Sequence, residues 1–461
     1  MIARTRILLA AAACSLLGAC AVSTPLPDLH ADLPAHWHNA PPESAKLGPQ
    51  PNLDSWWKTF DDAQLDALIQ RALAQNLTLQ QAQLRMRAAR AREHLAGTQF
   101  APQLSFRTFS QPDPAATTSY YEVGFDALWE LPLFGRGAGT ARVAAADAQT
   151  AATQISAARV SITAEVARNY VDLRAAQARA AQFDRIVELR RNALELAQVR
   201  LRLKLASRDD VDKAAGELVQ AQADAAEPAA AIAQAQQALD VLLAQAQPDA
   251  SLQAPGPQPS LRDVQFTQAP ADLLRTRPEI RVAELEVLNA TGELGIARAD
   301  LWPKLGLGGT LISATRVNGD LDHPNKAVPS AGPIIDIPLF DWGARRDTVT
   351  ARDAQLQAAV LGYRQAVLEG VAEAESALAQ WQRDHARAAA AHAQLALAND
   401  AKARADTLRH IGLADKSDAV QSSIAQAQAQ LQASVAQRDA AIAFIAVYKS
   451  LGGALPPLVM Q

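Results

Sequence analysis

The chain has 461 residues, 49% of them apolar but only 5% aromatic, and Ala makes up roughly a fifth. Methyl-sized side chains favour close approach of helices over one large aromatic core, which argues against a compact enzyme of that build. With 44 Lys and Arg against 48 Asp and Glu there is no basic patch for nucleic acid, and the only cysteines, Cys14 and Cys20, leave the body of the chain without a disulfide framework or zinc site.

Residues 1–19 read as a signal peptide: Arg4 and Arg6, an apolar stretch from Ile7 to Gly18, then Leu17-Gly18-Ala19-Cys20. This pattern resembles a bacterial lipoprotein signal, which implies cleavage before Cys20, an S-diacylglycerol and an N-acyl chain on that residue, and, with Ala21 next, the outer membrane. Residues 20–60 are then a lipid-anchored tether; His30, His36 and His38 fall in it, in a Pro-rich context that suits a tether better than a metal site. Beyond residue 19 no run of 18 apolar residues occurs, so any membrane crossing falls to strands.

The rest of the chain is duplicated. Leu131-Pro132-Leu133-Phe134 and Asp147-Ala148-Gln149 recur 206 residues later as Ile337-Pro338-Leu339-Phe340 and Asp353-Ala354-Gln355. Residues 61–246 form a first repeat and 270–452 a second, joined by a Pro-rich linker at 247–269 and followed by a tail at 453–461.

In chain order, the first repeat predicts helices, strands at about 101–109 and 119–131, a long helix at 140–206 and a helix at 209–246. The second predicts a helix, strands at about 304–315 and 328–338, a long helix at 344–411 and a helix at 415–451. At 1.5 Å per residue each long helix is about 100 Å. Leu173, Ala180, Val187, Leu194 and Leu201 make one seven-residue seam on the first long helix, and Leu189, Leu196 and Leu203 a second, on the far side. A helix with two seams has a neighbour on each side, as in a closed wall of helices. The strands alternate, clearest where Tyr121, Val123, Phe125, Ala127 and Trp129 take one face. Four strands cannot close a barrel and open edges are not tolerated in lipid, so several chains must share one barrel.

Here the chain resembles the TolC-like outer-membrane efflux proteins, in the lipoprotein branch serving resistance-nodulation-division pumps. The resemblance rests on Trp56-Trp57 to Phe60, Asp62, Leu65 and Leu68; on Ala72-Leu73, Asn76, Leu79 and Ala82; on Arg277-Pro278-Glu279-Ile280, Ala283-Glu284, Gly295-Ile296-Ala297-Arg298 and Trp302-Pro303; and on the two Pro-Leu-Phe junctions with Gly135 and Gly343. It implies a mainly α fold with a membrane β-barrel portion, in which a homotrimer builds a twelve-stranded barrel, four strands per chain, on a twelve-helix α-barrel. It also implies a periplasmic adaptor and an inner-membrane resistance-nodulation-division transporter as partners, outer-membrane lipid around the barrel, and no cofactor beyond the lipid on Cys20.

Pro132 and Pro338 are expected to turn strand into helix, at the first helical turn, where a missing N–H is harmless. The breaks after the long helices become periplasmic tips, with Asp209, Asp210 and Asp212 in one and Asp415 and Asp418 in the other. A ring of such carboxylates favours cations, whereas the same residues are equally suited to cap helices. Relatives often carry an Asp nine residues past the second hairpin's Gly; here that residue is Gln421. No catalytic motif occurs, and the resemblance implies an exit duct for drugs or other small toxic compounds. A periplasmic coiled-coil structural lipoprotein and the exit duct of a type I protein secretion system are the alternatives.

Overall fold

The computed structural model describes residues 24–29, 37–39, 53–111, 120–261, 277–316 and 327–452. After a 3-10 helix at Leu53–Phe60, the chain runs α1 (Ala63–Gln75), α2 (Leu77–Thr98), β1 (Gln103–Gln111), β2 (Tyr120–Leu131), α3 (Arg136–Arg202), α4 (Arg208–Asp224) and α5 (Glu227–Leu242). A short helical turn at Ala250–Gln253 leads on to α6 (Pro278–Ala299), β3 (Lys304–Arg316), β4 (Ala327–Asp336), α7 (Ala344–His410) and α8 (Lys416–Ser450). Two compact units result, one of residues 1–31, 84–153 and 280–366, the other of residues 32–83, 154–279 and 367–461.

The first unit holds one antiparallel sheet in the order β1-β2-β3-β4. Its central pair joins the two repeats, with Phe125 opposite Leu311 and Ala127 opposite Gly309. Phe106, Phe125 and Leu311 fall on one face, with Trp129 and Leu307 further along it, and all five are exposed. Phe106 and Phe125 meet edge to face at 5.3 Å, an aromatic cross-strand pair of the kind that stabilises a sheet face. β4 is exposed throughout and carries Pro329 and Pro333, neither of which has an N–H to give to a ladder. Beside the sheet, α3 and α6 cross at two glycines: a Cβ on Gly139 would stand 2.9 Å from the Gly292 carbonyl oxygen. Any side chain there would push the helices apart.

The second unit holds the aromatic core. Trp56 stacks on Tyr448 at 5.3 Å, and Phe60 and Trp381 close on Phe444 at 5.5 and 5.6 Å. Leu65, Leu68, Ile69, Leu173, Leu239 and Leu243 complete it. Asp62 caps α1 by accepting from the Gln64 and Leu65 N–H groups at 2.9 and 3.0 Å, and its other oxygen accepts from the Tyr170 hydroxyl at 2.8 Å. Burial pushes that hydroxyl up to about 12, so it stays a donor at neutral pH.

Four expectations need correction. Residues 53–60 are not tether, because Trp56, Trp57 and Phe60 are buried in the core. The helix expected at 209–246 breaks at Ala225–Ala226, since Pro228 at the start of α5 has no N–H to continue the ladder and its ring opposes a preceding turn. Both long helices stop short of the expected ends, at Arg202 and His410, and the first begins four residues early at Arg136. The step from repeat to repeat is 206 at the Pro-Leu-Phe motifs but 208 at the left-handed pairs that follow them, Phe134-Gly135 and Trp342-Gly343, and in the long helices, which begin at Arg136 and Ala344 and end at Arg202 and His410. The two Asp-Ala-Gln triplets are therefore out of step by two residues.

Candidate functional site

At the first tip, Lys204 takes a left-handed φ of 61° and the Leu205 N–H reaches back to the Arg200 carbonyl at 2.8 Å. At the second, Gly412 has φ 77° and the Leu413 N–H reaches the Leu408 carbonyl at 2.8 Å. Both are Schellman closures, which satisfy carbonyls left over at a helix end. Leu203 and Leu205 at the first tip, and Ile411 and Leu413 at the second, are exposed.

The tip acids divide by role. Asp210 belongs to a capping box: its carboxylate accepts from the Ser207 N–H and hydroxyl, both at 2.8 Å, while its own N–H donates to Ser207 Oγ at 3.1 Å. Those bonds, from the Ser207 backbone first, hold its carboxyl below the usual range. Asp415 caps α8 by accepting from the Ser417 N–H, and its second oxygen pairs with Arg200 Nη1 at 2.9 Å. This pair ties the first repeat's long helix to the second repeat's tip. Asp209, Asp212, Asp418 and Gln421 are exposed on the opening turns of α4 and α8.

At the junctions the prolines do not start the helices. Pro132 follows the last residue of β2 and Pro338 lies two residues beyond β4. The turn is made further on by two consecutive left-handed residues, Phe134 and Gly135 (φ 55° and 86°) in one repeat, Trp342 and Gly343 (57° and 87°) in the other. A proline, locked near −65°, cannot supply that geometry. Phe134 stacks on Trp302 at 5.5 Å, whereas Trp342 meets Phe340, two residues before it, at 4.8 Å and is 89% exposed.

The profile of the outer membrane efflux protein family matches residues 68–245 and 269–453. The chain belongs to the outer membrane efflux protein family. Nodulation protein T of Rhizobium leguminosarum bv. viciae is 28% identical over 338 residues, covering 72% of this chain and 70% of that protein. Outer membrane protein OprJ of Pseudomonas aeruginosa is 29% identical over 341 residues, 70% of each. The structure of the outer-membrane channel OprN superposes with a TM-score of 0.79 at 26% identity, covering 94% of this chain and all of that one. The protein is thus an outer-membrane efflux channel, mainly helical with a four-stranded antiparallel sheet. Among the described residues no helix is long and apolar enough to cross a membrane.

In this efflux protein, spacing alone assigned no role to Arg277 or Asn76. Arg277 Nη1 donates to the Ser450 carbonyl at 2.9 Å and the Gly370 carbonyl at 3.1 Å, and Nη2 pairs with Glu373. Asn76 caps α2, accepting from Thr78 N at 2.9 Å, and its Nδ2 donates to the Leu242 carbonyl at 2.8 Å. Each residue sits just before its repeat's strand-leading helix and holds the C-terminal end of that repeat's last helix. Near the amino-terminus, the His38 and Asn39 N–H groups donate to the Glu375 carboxylate at 2.6 and 2.9 Å, and Trp37 is buried. His30, His36 and Cys20 lie outside the described residues.

Proposed function

We propose that three copies of this channel protein share one twelve-stranded barrel and one helical duct, and pass small toxic compounds outward from an inner-membrane resistance-nodulation-division transporter through a periplasmic adaptor. The observation that carries this reading is a four-stranded sheet with both edges open, joined to two helices of 67 residues, in a chain of the efflux family. Open edges in lipid demand further strands, and copies of the same chain supply them. The exposed apolar residues at the tips, Leu203, Leu205, Ile411 and Leu413, suit an adaptor's apolar face. Asp209, Asp212, Asp418 and Gln421 are the aperture candidates, and the Arg200–Asp415 pair is a link that holds the tips together.

Cys20 carries the lipid in this reading. Because the sheet itself inserts, Cys20→Ser removes lipidation yet leaves some trimer in the outer membrane; a wholly soluble variant is incompatible with the barrel. The main experiment is the native mass of the purified outer-membrane protein, together with drug accumulation in a deletion strain. A trimer and raised intracellular drug are expected. A monomer, or a deletion with unchanged accumulation, overturns the reading and leaves a structural lipoprotein.

A further inference from the structure

The two repeats are related by steps that can be checked within the sheet. On the β1 side the step is 201: α2 and α6 end at Thr98 and Ala299, and β1 and β3 begin at Gln103 and Lys304. On the β2 side it is 208: the left-handed pair Phe134-Gly135 becomes Trp342-Gly343. These steps carry the first hairpin onto the second, since Leu104 opposite Ala127 maps to Leu305 opposite Ile335, a pair the structure contains. The step of 206 read at the Pro-Leu-Phe motifs gives Leu305 opposite Pro333 instead, which is not the observed pairing.

The central pair β2–β3 runs from the first repeat to the second. If successive repeats meet alike around a closed barrel, the same contact recurs from the second repeat of one copy to the first repeat of the next. We propose that β4 of one copy pairs antiparallel with β1 of a neighbouring copy in the register this mapping dictates; the inference rests on the trimeric reading above. Ala127 opposite Gly309 becomes Ile335 opposite Thr108, Leu128 opposite Gly308 becomes Asp336 opposite Arg107, and Trp129 opposite Leu307 becomes Ile337 opposite Phe106.

Two observations that played no part in the mapping agree with it. β1 carries one charged residue, Arg107, and β4 carries one, Asp336; this register sets them directly opposite, where unlike charges favour pairing. A slip of two residues sets Arg107 against Ile334. Arg107 also reaches Asp126 of its own chain at 3.5 Å and is 73% exposed there, so it has room for a second carboxylate. The register also extends β4 past Asp336 and brings Leu339, 89% exposed, opposite Leu104, 72% exposed.

Disulfide trapping tests it. Within one chain β1 and β4 are separated by two strands, about 14 Å, so a bond between them can only join copies. Two consecutive pairs are used, because pairs in an antiparallel ladder alternate between wide and close spacing. Full-length chains carrying Thr108→Cys with Ile335→Cys, and Arg107→Cys with Asp336→Cys, are oxidised in membranes beside Arg107→Cys with Ile334→Cys and the unmodified chain. At least one of the first two pairs is expected to give a ladder up to three copies, and the third pair none. A ladder from the third pair alone, or none from any pair in a protein that is still trimeric by native mass, overturns the register and leaves the trimer standing. A monomeric native mass in the unmodified chain overturns both. Charge exchange gives an independent reading: Arg107→Asp should lower the temperature at which trimers dissociate in detergent, and adding Asp336→Arg should restore it. No restoration overturns the pairing.

Discussion

The two repeats reach the same backbone geometry with different residues. Lys204 and Gly412 close the tips, and Ala244 and Gly452 close the last helices, at φ 61°, 77°, 53° and 83°. Every second-repeat member of these pairs is glycine, and neither first-repeat member is. The step of 208 also joins Ser207 to Asp415, the caps of α4 and α8. The geometry is therefore demanded by the architecture, and the first repeat meets it against the conformational preference of its side chains. The clamps differ in the same way: Asn76 makes a neutral bond to the end of α5, while Arg277 puts a charge on the end of α8 and balances it with Glu373.

Removing the charged clamp is the most damaging change expected. Arg277→Ala takes the donor from the buried Gly370 and Ser450 carbonyls and the ion-pair partner from the exposed Glu373, a loss of about 2–4 kcal/mol. Thermal unfolding of the purified trimer measures it, and a shift no larger than that of Asn76→Ala ends the distinction between the clamps. Asn76→Ala loses a cap and one buried hydrogen bond, about 1–2 kcal/mol.

The tips give smaller effects of opposite sign. Gly412→Ala is expected to destabilise the second hairpin by about 1 kcal/mol, and Lys204→Gly to stabilise the first by roughly 0.5–1 kcal/mol. Hydrogen exchange at the two hairpins resolves them; equal responses to the two changes contradict the asymmetry. Arg200→Ala breaks the link to Asp415, and single-channel recording is expected to show longer openings.

The smallest effect is acid sensitivity of the first cap. Because the Asp210 carboxyl is held below its usual value, the cap's contribution is complete above the ordinary carboxylate range and is lost only as pH falls through the lowered value. Proteolysis at the first hairpin should not change between pH 7 and pH 5 and should rise at more acid pH. Asp210→Asn should abolish that rise.

Periodicity and proline punctuation made much of this legible: four strands, two long helices, the tips and the duplication all follow from spacing that the backbone enforces locally. Pro228 carried a signal for the break between α4 and α5 that the surrounding Ala-rich pattern masked. Other features had no local signal. Arg277 meets its carbonyls 93 and 173 residues away, distances over which no pattern in one chain specifies a contact. A left-handed Phe134 or Lys204 is invisible to propensity, because such residues rarely adopt it. The aromatics of the core, Trp56, Phe60, Trp381, Phe444 and Tyr448, are scattered through the chain and only folding gathers them.

The seam between β2 and β3 also fixes an order of events. Phe125 must wait for Leu311, 186 residues later in synthesis, before the sheet gains its central hydrogen bonds. Such a non-local pairing is slow to form, and until then the first hairpin presents two unsatisfied edges and an exposed aromatic face. A chain truncated in the linker would carry that hairpin permanently, with no second repeat to cover it, and would be a substrate for aggregation and for periplasmic proteases rather than a smaller channel.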